Sequence, residues 1–230
     1  MSVNIKILKK IKNDINNKNT KLLIVTKTRS QDDINQLIKI GYCDFAENRV
    51  QEAQEKYTDI LSNRDIKLNL IGPLQSNKVK QALKLFDTIQ SIDREKIVNE
   101  VAKHLDISSR TKNFYIQINI GEEPQKSGVM PSDFETFYQY CINKKLKISG
   151  IMCIPPQNED PRPFFEKMNK IRNSINEKIT LSMGMSSDYK MALDYHTDEI
   201  RIGSLIFSWG MFIYFFLIFF KSTYALEFFC

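Results

Sequence analysis

One pattern recurs eight times along this chain: a short apolar, β-branched run, then a polar or glycine-containing turn, then a helical period. Alternation of this kind is the sequence form of parallel βα units, in which strands are buried on both faces and joined by crossover helices. The runs fall at residues 22–26, 42–46, 68–71, 88–91, 114–120, 148–154, 179–183 and 199–203. Eight units within 230 residues favour an α/β fold of the closed (β/α)8 TIM-barrel type. An open doubly wound sheet calls for roughly five or six strands and a glycine-rich first turn. Ahead of the first run, Ile5, Leu8, Ile11 and Ile15 stand three and four apart, which predicts an extra amphipathic helix at the N-terminus.

Strand parity agrees with closure. In 114–120, Phe114, Ile116, Ile118 and Ile120 share one face, while Tyr115, Gln117 and Asn119 share the other. The polar face is expected to line the barrel. In 199–203 the same rule points Ile200 and Ile202 at the helices and Glu199, Arg201 and Gly203 inward. An edge strand with its polar face in water would show the same alternation.

Charge and cysteine usage narrow the function classes. The formal net charge of +6 comes from 33 basic and 27 acidic side chains scattered along the chain. Such a field concentrates anionic ligands, phosphorylated metabolites included, without selecting nucleic acid, and no nucleic-acid partner is expected. Cys43, Cys141, Cys153 and Cys230 form no CxxC pair, and the first ten residues lack the apolar stretch of a secretory signal. Both facts point to a reducing, cytoplasmic setting. His104 and His196 stand at unrelated spacing, so no metal site is expected.

In a barrel of this type chemistry gathers at the C-terminal ends of the strands. The residues there are Lys27, Glu47 and Asn48, Gly72 and Pro73, Asn119, Pro155 and Pro156, Ser186 and Gly203. Lys27 ends the apolar segment LLIVT and stands two residues from Arg29. Partial desolvation and a nearby cation both favour the neutral amine, which is the form that condenses with an aldehyde to a Schiff base. A lysine snorkelling from a strand end to solvent fits the same residues. LSMGMS (181–186) and RIGS (201–204) occupy the loops after the last two strands, where barrels commonly hold phosphate on hydroxyls and close-approach amides. Either segment alone also suits an ordinary cap or turn. GEEPQKS (121–127) lacks the glycine before the lysine and contains Pro124, so it is no Walker loop. Ser76 reads as a helix N-cap, and His196, between Asp194 and Asp198, as part of a solvated turn.

With these residues in place, the sequence resembles the pyridoxal 5′-phosphate homeostasis protein family, which is related in fold to the barrel domain of alanine racemase. The resemblance runs through VTKT (25–28), DFAENRVQEAQEK (44–56), LIGPLQSNK (70–78), QSIDR (90–94), IQINIGEEPQKSG (116–128), GIMCIP (150–155), LSMGMSSD (181–188) and IRIGSLIF (200–207). It implies a single barrel holding pyridoxal 5′-phosphate as a Schiff base on Lys27. It places Ser186, Gly203 and Ser204 at the phosphate, Arg201 near the pyridine nitrogen, and Asn48 and Met183 near the ring. It further implies a monomeric cofactor carrier in intracellular vitamin B6 homeostasis, with apo-enzymes that receive the cofactor as partners and without strong catalysis of its own. The alternative is a racemase-like enzyme dependent on the same cofactor. A cation beside the pyridine nitrogen disfavours ring protonation and weakens the electron sink that racemisation needs. A third option, a Schiff-base aldolase on a barrel, uses lysine without cofactor. The sequence departs from the family's pattern at Asn69 (often histidine), Ala46 and His196 (both often glycine).

The barrel unit is placed at 1–208 and an atypical aromatic tail at 209–230. Residues 207–230 hold 11 of the 25 aromatics, and no charge lies between Arg201 and Lys221. The apolar part left after the last strand is shorter than the roughly 20 residues a membrane helix needs, so a spanning segment is not expected. An extended interaction helix, a membrane-interface anchor and a reading-frame change all fit this tail. Its lack of a polar face favours the last.

Overall fold

The computed structural model describes residues 3–16, 18–62, 65–106, 109–175 and 178–207; the aromatic tail therefore lies outside the described residues. The strands are β1 (Lys21–Val25), β2 (Asp44–Glu47), β3 (Lys67–Leu70), β4 (Thr88–Ile92), β5 (Asn113–Ile118), β6 (Ile148–Cys153), β7 (Thr180–Ser182) and β8 (Glu199–Ile202). The helices are α1 (Ile5–Ile15), α2 (Gln31–Lys39), α3 (Val50–Tyr57), α4 (Val79–Leu85), α5 (Glu95–His104), α6 (Phe134–Asn143), α7 (Arg162–Asn173), α8 (Tyr189–Asp194) and α9 (Ser204–Phe207). All eight strands pair in chain order into a closed barrel. Parallel β8 closes it onto β1, with Leu23 opposite Arg201 and Ile24 opposite Ile202.

The expected parity holds. Ile200, Ile202, Phe114, Ile116 and Ile118 belong to the large apolar core between barrel and helices. Inside the barrel, Leu23, Val25 and Ala46 make a small separate cluster. Much of the rest of the lumen is polar. Asn69 donates to the Phe45 carbonyl, and Gln90 donates to Glu199 at 2.7 Å. Ser182 also donates to Glu199 at 2.8 Å. Burying so many polar groups is tolerable because each finds a partner.

The N-terminal helix forms as its spacing predicts. Asn4 caps it by accepting from the Ile7 amide, and Leu8 and Ile11 are buried. It is tied to α9 by the Asn4 amide, which donates to the Ile206 carbonyl. Two boundaries differ by two residues: β5 ends at Ile118 rather than 120, and β2 begins at Asp44 rather than 42. Gly41 takes a left-handed φ of 88°, and the Tyr42 amide donates back to the Leu37 carbonyl. Tyr42 thus closes the end of α2, and Cys43 links it to the sheet, its carbonyl accepting from the Lys67 amide of β3.

Candidate functional site

β1 stops at Val25 and the chain turns at once: the Thr26 carbonyl accepts from the Arg29 amide at 3.0 Å, leaving Lys27 and Thr28 as the central residues. Lys27 is exposed. The partial burial expected of it is not found, because the strand ends two residues earlier and the turn lifts the side chain to the rim. No hydrogen bond or ion pair engages its amine among the described residues. The Arg29 guanidinium lies 5.2 Å from the Phe207 ring centroid, a cation–π contact that links this turn to α9.

Strand order brings the two serine- and glycine-bearing loops to the same rim. β8 is the hydrogen-bonded neighbour of β1, and β7 the neighbour of β8. Gly203 lies so near β1 that a Cβ there would sit 2.9 Å from the Val25 carbonyl oxygen, so only glycine keeps the two strand ends this close. Ser204 is exposed at the start of α9, and Ser186 is half-buried in the loop before α8. Gly184, at φ 96°, makes the turn that starts this loop. Met183 is fully buried and shares the helix-side core with Leu181, apart from the rim residues.

Arg201 points into the lumen beneath these loops and is 3 % exposed. It donates to Ser182 Oγ at 2.7 Å and to the Cys153 carbonyl at 2.7 Å. Burial lowers the pKa of its guanidinium, against the opposing pull of Cys153, Glu199 and Asp188. Burial also pushes the Cys153 thiol up to about 12, so this cysteine is no nucleophile at neutral pH. Asn48 follows β2 and is half-buried. Its backbone is pressed against Gly72, where a Cβ would fall 2.2 Å from the Asn48 carbonyl oxygen.

Glu47 behaves differently from the rim residue expected. It is fully buried and its side chain meets groups of α3 and of the turn that follows β1. It pairs with Lys56 at 2.6 Å and accepts from the Thr26 hydroxyl at 2.7 Å. Thr26 Oγ1 and Tyr57 Oη are 2.7 Å apart. Burial raises the Glu47 carboxyl above its usual range, with Lys56 and Thr26 opposing. Sequence reading missed Lys56, although Glu52 and Lys56 stand at the i,i+4 spacing of a helical ion pair.

The remaining expectations divide. His196 is exposed in a turn at φ 56°, a conformation that glycine adopts without strain. Asn69 fits the lumen by bonding Phe45 and Gln90, and Ala46 fills the apolar lumen cluster. Ser76 is no N-cap: it is the first residue of the 3-10 turn Ser76–Lys78, which Gln75 precedes. No group of three or more candidate metal ligands occurs among the described residues, and no described helix is long and apolar enough to cross a membrane.

Comparison with known proteins fits this geometry. The family model for the alanine racemase N-terminal domain matches residues 4–209. The pyridoxal phosphate homeostasis protein of Aquifex aeolicus is 34% identical over 196 residues, covering 81% of this chain and 86% of that protein. PipY of Synechococcus elongatus, solved without PLP, superposes with a TM-score of 0.80 at 25% identity, over 88% of this chain and 99% of PipY. PipY with PLP bound gives 0.78 over the same shares. An eight-stranded barrel with a lysine turn beside two serine- and glycine-bearing loops, matched along most of its length by these relatives, belongs to the pyridoxal phosphate homeostasis protein family.

Proposed function

We propose that this protein holds pyridoxal 5′-phosphate at the C-terminal rim of its barrel, on Lys27, and serves as a carrier in vitamin B6 homeostasis. The cofactor brings an aldehyde for a lysine amine to condense with, and a dianionic phosphate. The residues present fit both. Lys27 offers an exposed amine with no acceptor among the described residues. Ser186, Gly203 and Ser204 offer hydroxyls and close-approach backbone on neighbouring strand ends, a donor set suited to phosphate.

Arg201 supports a carrier rather than a racemase. A guanidinium stays protonated in proteins, and here Ser182 and the Cys153 carbonyl hold it within the lumen. It can donate to a ring nitrogen but gives it no proton, so it stabilises no carbanion by ring protonation. Asn48 borders the same rim from β2, and Met183 packs behind it.

The observation that carries the reading is the convergence of the unengaged Lys27 amine with Gly203 and Ser204 through the β1–β8 pairing. Borohydride reduction of protein incubated with pyridoxal phosphate, followed by peptide mapping, should place the label on Lys27 and lose it in Lys27→Ala. Label on another lysine, or none, refutes the assignment. Amino-acid α-proton exchange faster than with free cofactor, lost in Lys27→Ala, would make the protein a racemase-like enzyme instead.

A further inference from the structure

The residues on both sides of Lys27 are held by one charged cluster, although Lys27 itself has no side-chain partner among the described residues. Thr26 is gripped three ways. Its hydroxyl donates to Glu47 and lies 2.7 Å from the Tyr57 hydroxyl, and its carbonyl accepts from Lys56 Nζ at 2.7 Å. On the other side, the Thr28 amide donates to Glu52 Oε1. The two grips are one unit, because Lys56 also pairs with Glu47 at 2.6 Å and with Glu52 at 2.9 Å. Three acceptors thus take all three N–H groups of the Lys56 ammonium.

Thr28 shows why the second grip is needed. Its φ is 62°, the left-handed region that a β-branched residue rarely enters. Strain of this kind persists only where surroundings over-determine it. The turn is fixed from below by Thr26 and from beyond by α2, whose capping box joins Ser30 and Asp33. Partial burial raises Glu52, but hydrogen bonds from Lys56 and the Thr28 amide outweigh it and hold the carboxyl below its usual range. It is therefore an anion at neutral pH, which strengthens its hold on the amide.

We infer that Glu47, Lys56 and Glu52 act as positioning residues, clamping Thr26 and Thr28 so that the Lys27 amine is presented at a fixed height to an aldehyde bound on the neighbouring loops. The inference rests on the reading of Lys27 as the attachment site. It adds three residues that touch neither the ligand nor Lys27, but act through the backbone on either side of it. Lys56 is the hinge of the clamp and also an amine withdrawn from competition with Lys27.

The test separates attachment from simple occupancy. Glu52→Gln is the working variant, since Glu52 is partly exposed and its loss leaves the Glu47–Lys56 pair in place. Wild type and variant are titrated with pyridoxal phosphate and with 4-deoxypyridoxine phosphate, which keeps ring and phosphate but has no aldehyde. The clamp predicts roughly tenfold weaker binding of pyridoxal phosphate by Glu52→Gln, with affinity for the deoxy analogue unchanged within about twofold. In the ligand-free protein, hydrogen exchange at the Thr28 amide should speed up by a similar factor. Lys56→Arg should retain more pyridoxal phosphate affinity than Lys56→Met. Equal weakening toward both ligands, or unaltered pyridoxal phosphate binding, overturns the clamp and leaves the attachment site standing. A wild-type protein that binds the deoxy analogue but labels elsewhere than Lys27 overturns the attachment reading, and the clamp with it.

Discussion

Glu199→Gln isolates the charge in the middle of the barrel. Glu199 is 2 % exposed and Arg201 3 %, and Ser182 bridges them, accepting from Arg201 at 2.7 Å and donating to Glu199 at 2.8 Å. Gln90 adds a second donor to Glu199 at 2.7 Å. Glutamine keeps the volume and one acceptor oxygen, so the cavity term is absent and only charge is removed. Two charge-assisted hydrogen bonds become neutral, at about 1 kcal/mol each, and Arg201 loses a buried counter-charge. The sum is a destabilisation of about 2–3 kcal/mol, below the 3–5 kcal/mol of a directly broken buried pair because the contact here is bridged. With a urea slope of about 2–3 kcal/mol/M, the unfolding midpoint should fall by about 1 M. Arg201→Met should cost a comparable amount, and the double variant less than the two together by at least about 1 kcal/mol. A shift below about 0.5 kcal/mol for Glu199→Gln, or strict additivity in the cycle, would refute the idea that these groups compensate one another.

Two further changes test other parts of the argument. Gly72→Ala places a methyl 2.2 Å from the Asn48 carbonyl oxygen and 2.7 Å from its Cα; the β2 and β3 loops must part, so stability should drop by about 2–3 kcal/mol in a urea titration, and an unchanged midpoint would contradict the packing. Glu52 has a folded pKa depressed below its usual value of about 4.3, so its contribution is full above that pH and fades as pH falls through the folded value. The stability gap between wild type and Glu52→Gln should therefore be constant near neutrality and close on acidification; a gap that widens in acid would reverse the sign argued here.

The architecture was readable because strand parity and helical period are local properties. All eight strand positions were visible, and Ile200 and Ile202 could be told from Glu199 and Arg201 by alternation alone. Boundaries were less visible where a helix end reached forward, as with the Tyr42 amide bonding back to Leu37. At the rim, Lys27, Gly203 and Ser204 came from strand order, but the burial of Lys27 did not follow. An apolar run ending in lysine gives no sign of whether the strand or a turn carries the amine. Glu47 was misplaced for a related reason: parity sends it outward beside Thr26, away from the mouth, yet a glutamate at a strand end looks like a rim residue. Its partner Lys56, and the Tyr57 hydroxyl that meets Thr26, lie on the helix that follows, and only the folded chain brings all four together.

Near the end of β1 the fold has two lysines and treats them oppositely. Desolvation does not distinguish them in the way the apolar run implied, since Lys27 is exposed while Lys56, with a side-chain exposure of 12%, is the more buried. Acceptors make the difference. Lys56 has three, the Thr26 carbonyl, Glu47 and Glu52, and it would have to abandon all of them to reach an aldehyde. Such a residue is a poor nucleophile whatever its distance from a ligand. Lys27 has no acceptor to give up among the described residues, so the proposed condensation with an aldehyde would break no contact with them. With Lys27 as the proposed attachment site, a barrel rim arranged this way would select its reactive amine by withholding partners from one lysine while using the charge of the other to hold the backbone that carries it.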